Sequence, residues 1–367
     1  MGNKLKDSGS VRKGYADVFV FNIGAIIIGI IISALMILFL KQNPAKVFGQ
    51  ALLRIFSDKY TLGEVLVKAT PLVFTALAFA FTYKANLFNI GAQGQFYAGC
   101  IAAVSISLAL GGVVPTPLLI LIVLLASFCA GGVVGALIGL AKAKCGANEF
   151  LVSMMSTYVV QALMDFLLRT SLRETKAEYL QTNPISAKAF LPGILPGTRV
   201  HLGTLLALLT AIVIWVLLYH TNLGFRIRAV GNNPSASEHS GIKASRIFVI
   251  AFLISGGLAG MAGVTEINGV QHMLLQNFNS SIGSFGIGIA ILANGHPIGV
   301  IFASLLFGFL SIMGNTMGRM PGLNIPSSII DLMQGIVMIC VIISYFLRAH
   351  VQKEREKRLL RSGEVEA

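Results

Sequence analysis

The sequence predicts an all-α polytopic membrane protein, and three observations carry that reading. Only 12% of the 367 residues are charged, where soluble domains carry about 25%. The mean hydropathy is +0.79. Apolar runs long enough to cross a bilayer recur along the chain, separated by short polar or basic stretches.

Ten spans are expected, at roughly 18–40, 62–82, 87–109, 116–141, 150–168, 202–219, 247–265, 282–293, 297–313 and 328–347. The N-terminal segment 1–17 places Lys4, Lys6, Arg12 and Lys13 ahead of the first run. No small-residue cleavage site follows that run, so it reads as a span and not as a removable leader. At 1.5 Å per residue the eighth segment is too short to cross alone, and it is expected to be a half-helix or re-entrant. The third, with Asn89, Gln93 and Gln95 near its start, is expected to be broken as well. The external loop 169–201 holds Pro184, Pro192, Gly193, Pro196 and Gly197, which suggest an ordered cap. The stretch 41–61 reads as a basic external loop. The tail 348–367 continues the last span as a charged helix resting on anionic lipid.

The net charge is +13. The basic residues lie between apolar runs without interleaved aromatics, which argues against a nucleic-acid polymer as partner and for a positive-inside membrane protein. Ten spans put both termini on one side. Seventeen of the 28 basic residues fall there, including Lys84, Lys142, Lys144, Arg226, Arg228, Lys243 and Arg246, so that side is expected to be cytoplasmic. Cys100, Cys129, Cys145 and Cys340 show no metal spacing. The three in apolar runs read as small buried side chains.

No catalytic constellation, metal cluster or phosphate-binding GxxxxGK[ST] loop is visible, and no cofactor is expected in this chain. Ile254–Gly260 reads ISGGLAG, superficially like an ATPase signature, but it lies inside a span. Its glycines at 256 and 260, and those at 131, 135 and 139, suit close helix packing. The segment FNIGAQGQFYAG at 88–99 is different. Polar, glycine-rich backbone at membrane depth survives only when buried in protein or lining a wet cavity. Asn89, Gln93 and Gln95 therefore either cross-link helices or line a path. SIGSFGIGIAILANGHPIG at 281–299 has the same interrupted character, with Ser284 and Asn294 among its polar side chains as path candidates. Such breaks in corresponding halves point to a transporter's midplane, with spans two to five and seven to ten as inverted repeats. Asp165, Glu266, Asp331 and Lys68 lie near span ends and make no proton relay, so energy is expected to come from outside the chain.

The segment 220–246 is the polar interruption between two spans. Asn233 suits an N-cap, Pro234 the first helical position and Gly241 the residue after the C-cap. The helix between them can neither span nor bury much, so it reads as a surface helix for docking. Thr221–Gly231 before it forms a basic amphipathic strip.

The segments FNIGAQGQFYAG at 88–99, KAKCGANEFLVSMM at 142–155, LGFRIRAVGNNPSASEHSGI at 223–242, SGGLAGMAG at 255–263 and GIAILANGHPIG at 288–299 resemble the permease subunits of bacterial ABC importers. The resemblance is to the ribose, galactoside and branched-chain amino acid group, and within it to the nucleoside permeases that work with basic-membrane-protein-type lipoproteins. It runs from about Val18 to Leu347. Gln93 stands where that family often has Glu, and Thr157–Tyr158 where an Asn-Tyr pair is common. The resemblance implies a permease domain over 18–347 in a bacterial plasma membrane. It implies a coupling role for Gly231, Asn232, Asn233, Pro234, Ser235, Ala236, Glu238 and Gly241 against a P-loop ATPase that holds the ATP and Mg. It also implies a second homologous permease and a substrate-binding lipoprotein. A path lined by Asn, Gln and Ser without fixed charge suits nucleosides, and equally a simple sugar or riboflavin. A stand-alone secondary carrier and a membrane scaffold are the competing readings.

Overall fold

The computed structural model describes residues 24–39, 41–175, 178–278, 281–320, 332–344, 346, 347 and 351. The helices are, in chain order, α1 (Gly24–Phe39), α2 (Pro44–Ser57), α3 (Lys59–Tyr83), α4 (Ala92–Leu110), α5 (Thr116–Cys145) and α6 (Glu149–Arg169). They continue with α7 (Leu202–His220), α8 (Asn222–Asn232), α9 (Pro234–His239), α10 (Ala244–Glu266), α11 (Ile282–Leu292), α12 (Pro297–Gly318) and α13 (Leu332–Ser344). The chain divides into two compact units, Ile55–Ile312 and a second made of Met1–Arg54 with Met313–Ala367.

Among the described residues seven helices are long and apolar enough to cross a membrane: α3, α4, α5, α6, α7, α10 with its extension to Gln271, and α12. An eighth is reached if α1 and α2, joined at a 114° bend, count as one span. The expected ten are therefore not confirmed. The eighth expected segment is the short α11, as its length required, and only part of the tenth lies in the described residues. The third span begins later than expected, at Ala92, and its helix is unbroken; the break is the non-helical stretch before it. A symmetry between spans two to five and seven to ten would involve residues 321–331, which lie outside the described residues, as does Asp331.

The stretch 41–61 is not a loop. Asn43 caps α2 by accepting from the Ala45 N–H at 3.0 Å, and Pro44 is its first residue. Val47, Ala51 and Ile55 form a buried stripe at a spacing of four, while Leu52, Leu53 and Phe56 are exposed. The Asn-Pro start is the same signal that marks α9. Its apolar residues are diluted by Lys46, Gln50 and Arg54, and that dilution hid the helix.

In the larger unit α3, α4, α5 and α10 make the interior. Apolar residues surround α3 on all sides, and it is buried on all sides from Gly63 to Thr82 apart from Leu66 and Lys68. Asp58 starts it, its carboxylate accepting from the N–H groups of Tyr60 and Thr61 at 3.1 and 3.2 Å. The glycine rows of α5 and α10 face each other. A Cβ on Gly131 would overlap the Gly256 carbonyl, one on Gly135 the Phe252 carbonyl, and one on Gly260 the Ser127 carbonyl. In lipid, where apolar side chains gain little by leaving the bilayer, such backbone contact is what holds helices together. The ISGGLAG run is packing. Of the cysteines in apolar runs, Cys100 is buried as expected, Cys340 is half-buried and Cys129 is exposed. An apolar run within a membrane can present a side chain to lipid as well as to the core.

Gly135→Leu is expected to destabilise the protein by an amount at the upper end of about 1–3 kcal/mol. Gly49→Ala, where a Cβ meets open space in α2, should be neutral or stabilising by up to about 1 kcal/mol. Thermal unfolding of both variants in one detergent checks the pair.

Candidate functional site

Between α3 and α4 the chain turns back into the bundle without helical hydrogen bonding, so its polar groups need partners. Asn89 supplies them. Its Nδ2 donates to Gln95 Oε1 and to Ser255 Oγ, both at 2.7 Å, and its Oδ1 accepts from the Gly91 N–H at 3.1 Å and from Gln95 Nε2 at 3.2 Å. Ser255 Oγ donates onward to the Ala78 carbonyl at 2.7 Å. Asn89, Gln95 and Ser255 are all fully buried. Of the two open readings, cross-linking is the one that holds for Asn89 and Gln95, and the link ties α3, α4 and α10 at one point. Ser255, in the glycine row, was missed because a lone serine there reads as a small packing residue.

Gln93 is different. Its Oε1 accepts from the Gly283 N–H at 2.6 Å, so the first turn of α4 meets the first turn of α11. A Cβ on Gly283 would press on the Gln93 backbone, and one on Gly286 would crowd Thr75. Thr75 Oγ1 lies 3.3 Å from the Ile282 carbonyl, one turn beyond Pro71, the residue that interrupts α3. Ser284 follows this junction and is exposed. Asn294 does not join it. It sits beyond the other end of α11, exposed, with a left-handed φ of 53° and its carbonyl 3.2 Å from Lys84 Nζ. The structure therefore places Gln93 against Gly283, next to Ser284 in the chain, and Asn294 beyond the other end of α11, about 16 Å away.

The docking segment has the expected caps. Asn233 Oδ1 accepts from the Ala236 N–H at 3.0 Å, and Pro234 opens α9. Gly241 has φ 82°; its N–H bonds the Glu238 carbonyl and the Ile242 N–H the Ser237 carbonyl, both at 2.9 Å. This paired closure satisfies the last carbonyls of the helix. Asn232, Asn233, Pro234, Ser235, Ala236, Glu238 and Gly241 are all exposed. Gly231 is half-buried and packs closely. A Cβ there would collide with the Lys84 carbonyl, so its absence lets α8 lie against the turn after α3. The basic strip is itself a helix, α8, capped by Thr221 and buried along Gly224, Ile227 and Val230.

Arg228 of α8 belongs to a cationic cluster that sequence reading did not assemble. Arg228 stands over the Tyr219 ring, 5.1 Å from its centroid, and that ring stacks with His296 at 5.6 Å. Burial, and then the nearby Arg228, lower the Lys84 ammonium below its ordinary range; burial, and then Lys84, do the same to His296. These four residues sit on four separate chain segments, so no motif spacing announces them.

At the opposite end lie residues 180–201, part of the segment 169–201 expected to form an external cap. Asn268 holds it, its Nδ2 donating to the Ala189 carbonyl at 2.9 Å and to Ser107 Oγ at 2.8 Å, while its backbone carbonyl accepts from the Leu191 N–H at 2.9 Å. Arg199 of the cap pairs with Glu64 of α3 through two hydrogen bonds. His201 caps α7, its Nδ1 accepting from the Gly203 N–H at 3.1 Å, and its ring lies on Gly269. Among the described residues no group of three or more His, Cys, Asp or Glu could hold a metal.

A family described as branched-chain amino acid transport system / permease component matches residues 61–342. The chain belongs to that family. A guanosine ABC transporter permease protein, NupP of Bacillus subtilis, is 31% identical over 91% of this chain and 95% of its own length. A nucleoside ABC transporter permease protein, NupB of Lactococcus lactis, is 28% identical over 90% and 92%. A glucose ABC transporter permease protein, TsgB13 of Haloferax volcanii, is 30% identical over 85% and 83%. No solved structure matches.

Two outcomes follow from the geometry. Asn89→Leu leaves Gln95 and Ser255 short of partners and is expected to cost about 1–3 kcal/mol. Ser284→Ala, at an exposed position, should stay within about 0.5 kcal/mol; thermal unfolding in detergent reads both. Burial, and then His272, depress His201 from 6.5 to about 4. A depressed histidine keeps the folded state favoured above pH 6.5 and loses that advantage as pH falls from 6.5 towards 4, by up to about 3 kcal/mol. His201→Asn, which retains a cap acceptor, should flatten the pH dependence of the melting temperature in that window.

Proposed function

We propose that this chain is the membrane-spanning permease subunit of an ATP-binding-cassette importer, and that its cargo is nucleosides. The observation that carries the reading is α9, a doubly capped, exposed helix at the surface of a membrane bundle, in a chain similar over nine-tenths of its length to guanosine and nucleoside permeases. In this reading a partner P-loop ATPase, which holds the ATP and Mg, engages Asn233–Gly241. The face that carries Lys84, α8 and α9 is cytoplasmic, with both termini, in a bacterial plasma membrane. A second permease of the same family and a substrate-binding lipoprotein complete the assembly.

The geometry supports a route for the push. α9 follows α8 across the single residue Asn233; Arg228 of α8 stands over Tyr219, whose ring stacks on His296; His296 and the Lys84-bound Asn294 follow the end of α11. α11 is a rigid rod of about three turns. Its far end rests on Gln93 and Thr75, an uncharged polar junction that in this reading lies on the path with Ser284. A glucose permease among the relatives favours simple sugars as the second cargo reading.

Glu238→Arg and Pro234→Trp are expected to lower ATP-dependent uptake at least about tenfold, a loss of about 1.4 kcal/mol in coupling, without changing membrane insertion. The assay is proteoliposome uptake of labelled guanosine or uridine with the ATPase subunit present, competed with glucose and riboflavin. Gradient-driven uptake by this chain alone would identify a secondary carrier. Competition by glucose and not by nucleosides would move the cargo to sugars.

A further inference from the structure

A groove runs along the outside of the seam where the last turns of α5 meet the first turns of α10. Leu140, Ala143, Val249 and Ile250 make its floor, and Lys144 and Arg246 stand at its mouth. Both cations are exposed. Among the described residues neither side chain has a hydrogen bond or an ion pair, whereas the neighbouring Lys142 is held by Glu149 at 2.8 Å. Ser245 adds a hydroxyl to the mouth. α10 begins at Lys243 with no side-chain cap, so its first N–H groups and its dipole add positive potential there.

The order of these groups along the helices sets the ligand. Leu140 is one turn below Lys144, and Ile250 one turn below Arg246, so the floor lies about 6 Å deeper in the spanning part of each helix. A ligand that satisfies both levels carries an anion at the interface and a chain that continues into hydrocarbon. A free phosphate matches the mouth and leaves the floor bare. An acidic protein side chain matches the mouth and cannot follow the slot down. We propose that this groove binds one anionic phospholipid, its phosphate between Lys144 and Arg246 and an acyl chain along Leu140, Ala143 and Val249.

The full chain, exchanged into nanodiscs of phosphatidylcholine with increasing phosphatidylglycerol, tests this by native mass spectrometry and thermal unfolding. The wild type should retain one phosphatidylglycerol and gain melting temperature with it. The Lys144→Gln, Arg246→Gln pair should bind that lipid about thirtyfold more weakly, as two interfacial cations imply. Ala143→Trp, which keeps the charges and fills the floor, should weaken it too, while the charge-conserving Lys144→Arg, Arg246→Lys pair should retain it. Lys188→Gln, in the cap, should change nothing. Equal retention by the wild type and the glutamine pair overturns the proposal. So does protection of the wild type by inorganic phosphate alone to the same extent. Unchanged lipid retention in the glutamine pair, with loss of a co-purifying P-loop subunit, would give the two cations to a protein partner and overturn it as well.

Discussion

A backbone that leaves helical hydrogen bonding inside a membrane must find every partner within the protein. The rest of the larger unit is arranged around one solution to that constraint. The turn after α3 re-enters the bundle, and Asn89 meets its demand by bonding to Gln95, Ser255 and the Gly91 amide at once. Because Ser255 passes the link to the Ala78 carbonyl, three helices are tied at the point where the chain is irregular. The glycine rows of α5 and α10 make this possible. They bring α10 close enough to the neighbouring helices for a serine hydroxyl to reach across. An unsatisfied amide here would cost more than in water-exposed loops, so the knot and the seam are one device.

The same irregularity gives α11 its position. With α4 starting inside the bundle, its first turn is available to another helix end, and α11 starts there. A half-length helix with one end on Gln93 and Thr75 and the other on Lys84 and His296 spans the distance between a polar junction and a surface cluster. Few groups cross that distance: the charged ones lie at the surface end, and the junction is neutral. An element of this kind can move as a body without exposing a buried charge.

The sequence was most legible where a local rule acts alone. The caps of α9 at Asn233 and Gly241, the shortness of α11 and the glycine seam all follow from residues within a few positions of one another. It was least legible where a polar side chain had two possible partners. Asn89, Gln93, Gln95, Ser284 and Asn294 share one composition and one apolar setting, yet Asn89 and Gln95 cross-link, Gln93 joins two helix ends, and Ser284 and Asn294 are exposed. Gly231 likewise sits in the docking motif and packs closely. α2 shows a different failure: its Asn-Pro start was readable, but its apolar stripe was diluted by lysine, glutamine and arginine.

By itself, then, the sequence determined that the chain is a helical membrane protein, that its eighth apolar segment is a short helix, and that a capped polar helix sits at the surface between two spans. Those properties depend on hydrophobicity, cap chemistry and length, each written in contiguous residues. The tertiary structure alone decided which polar groups are satisfied internally, how Arg228, Tyr219 and His296 come together, and that Lys144 and Arg246 share one groove. These depend on side chains from distant segments meeting in space, and their spacing along the chain carries no trace of it.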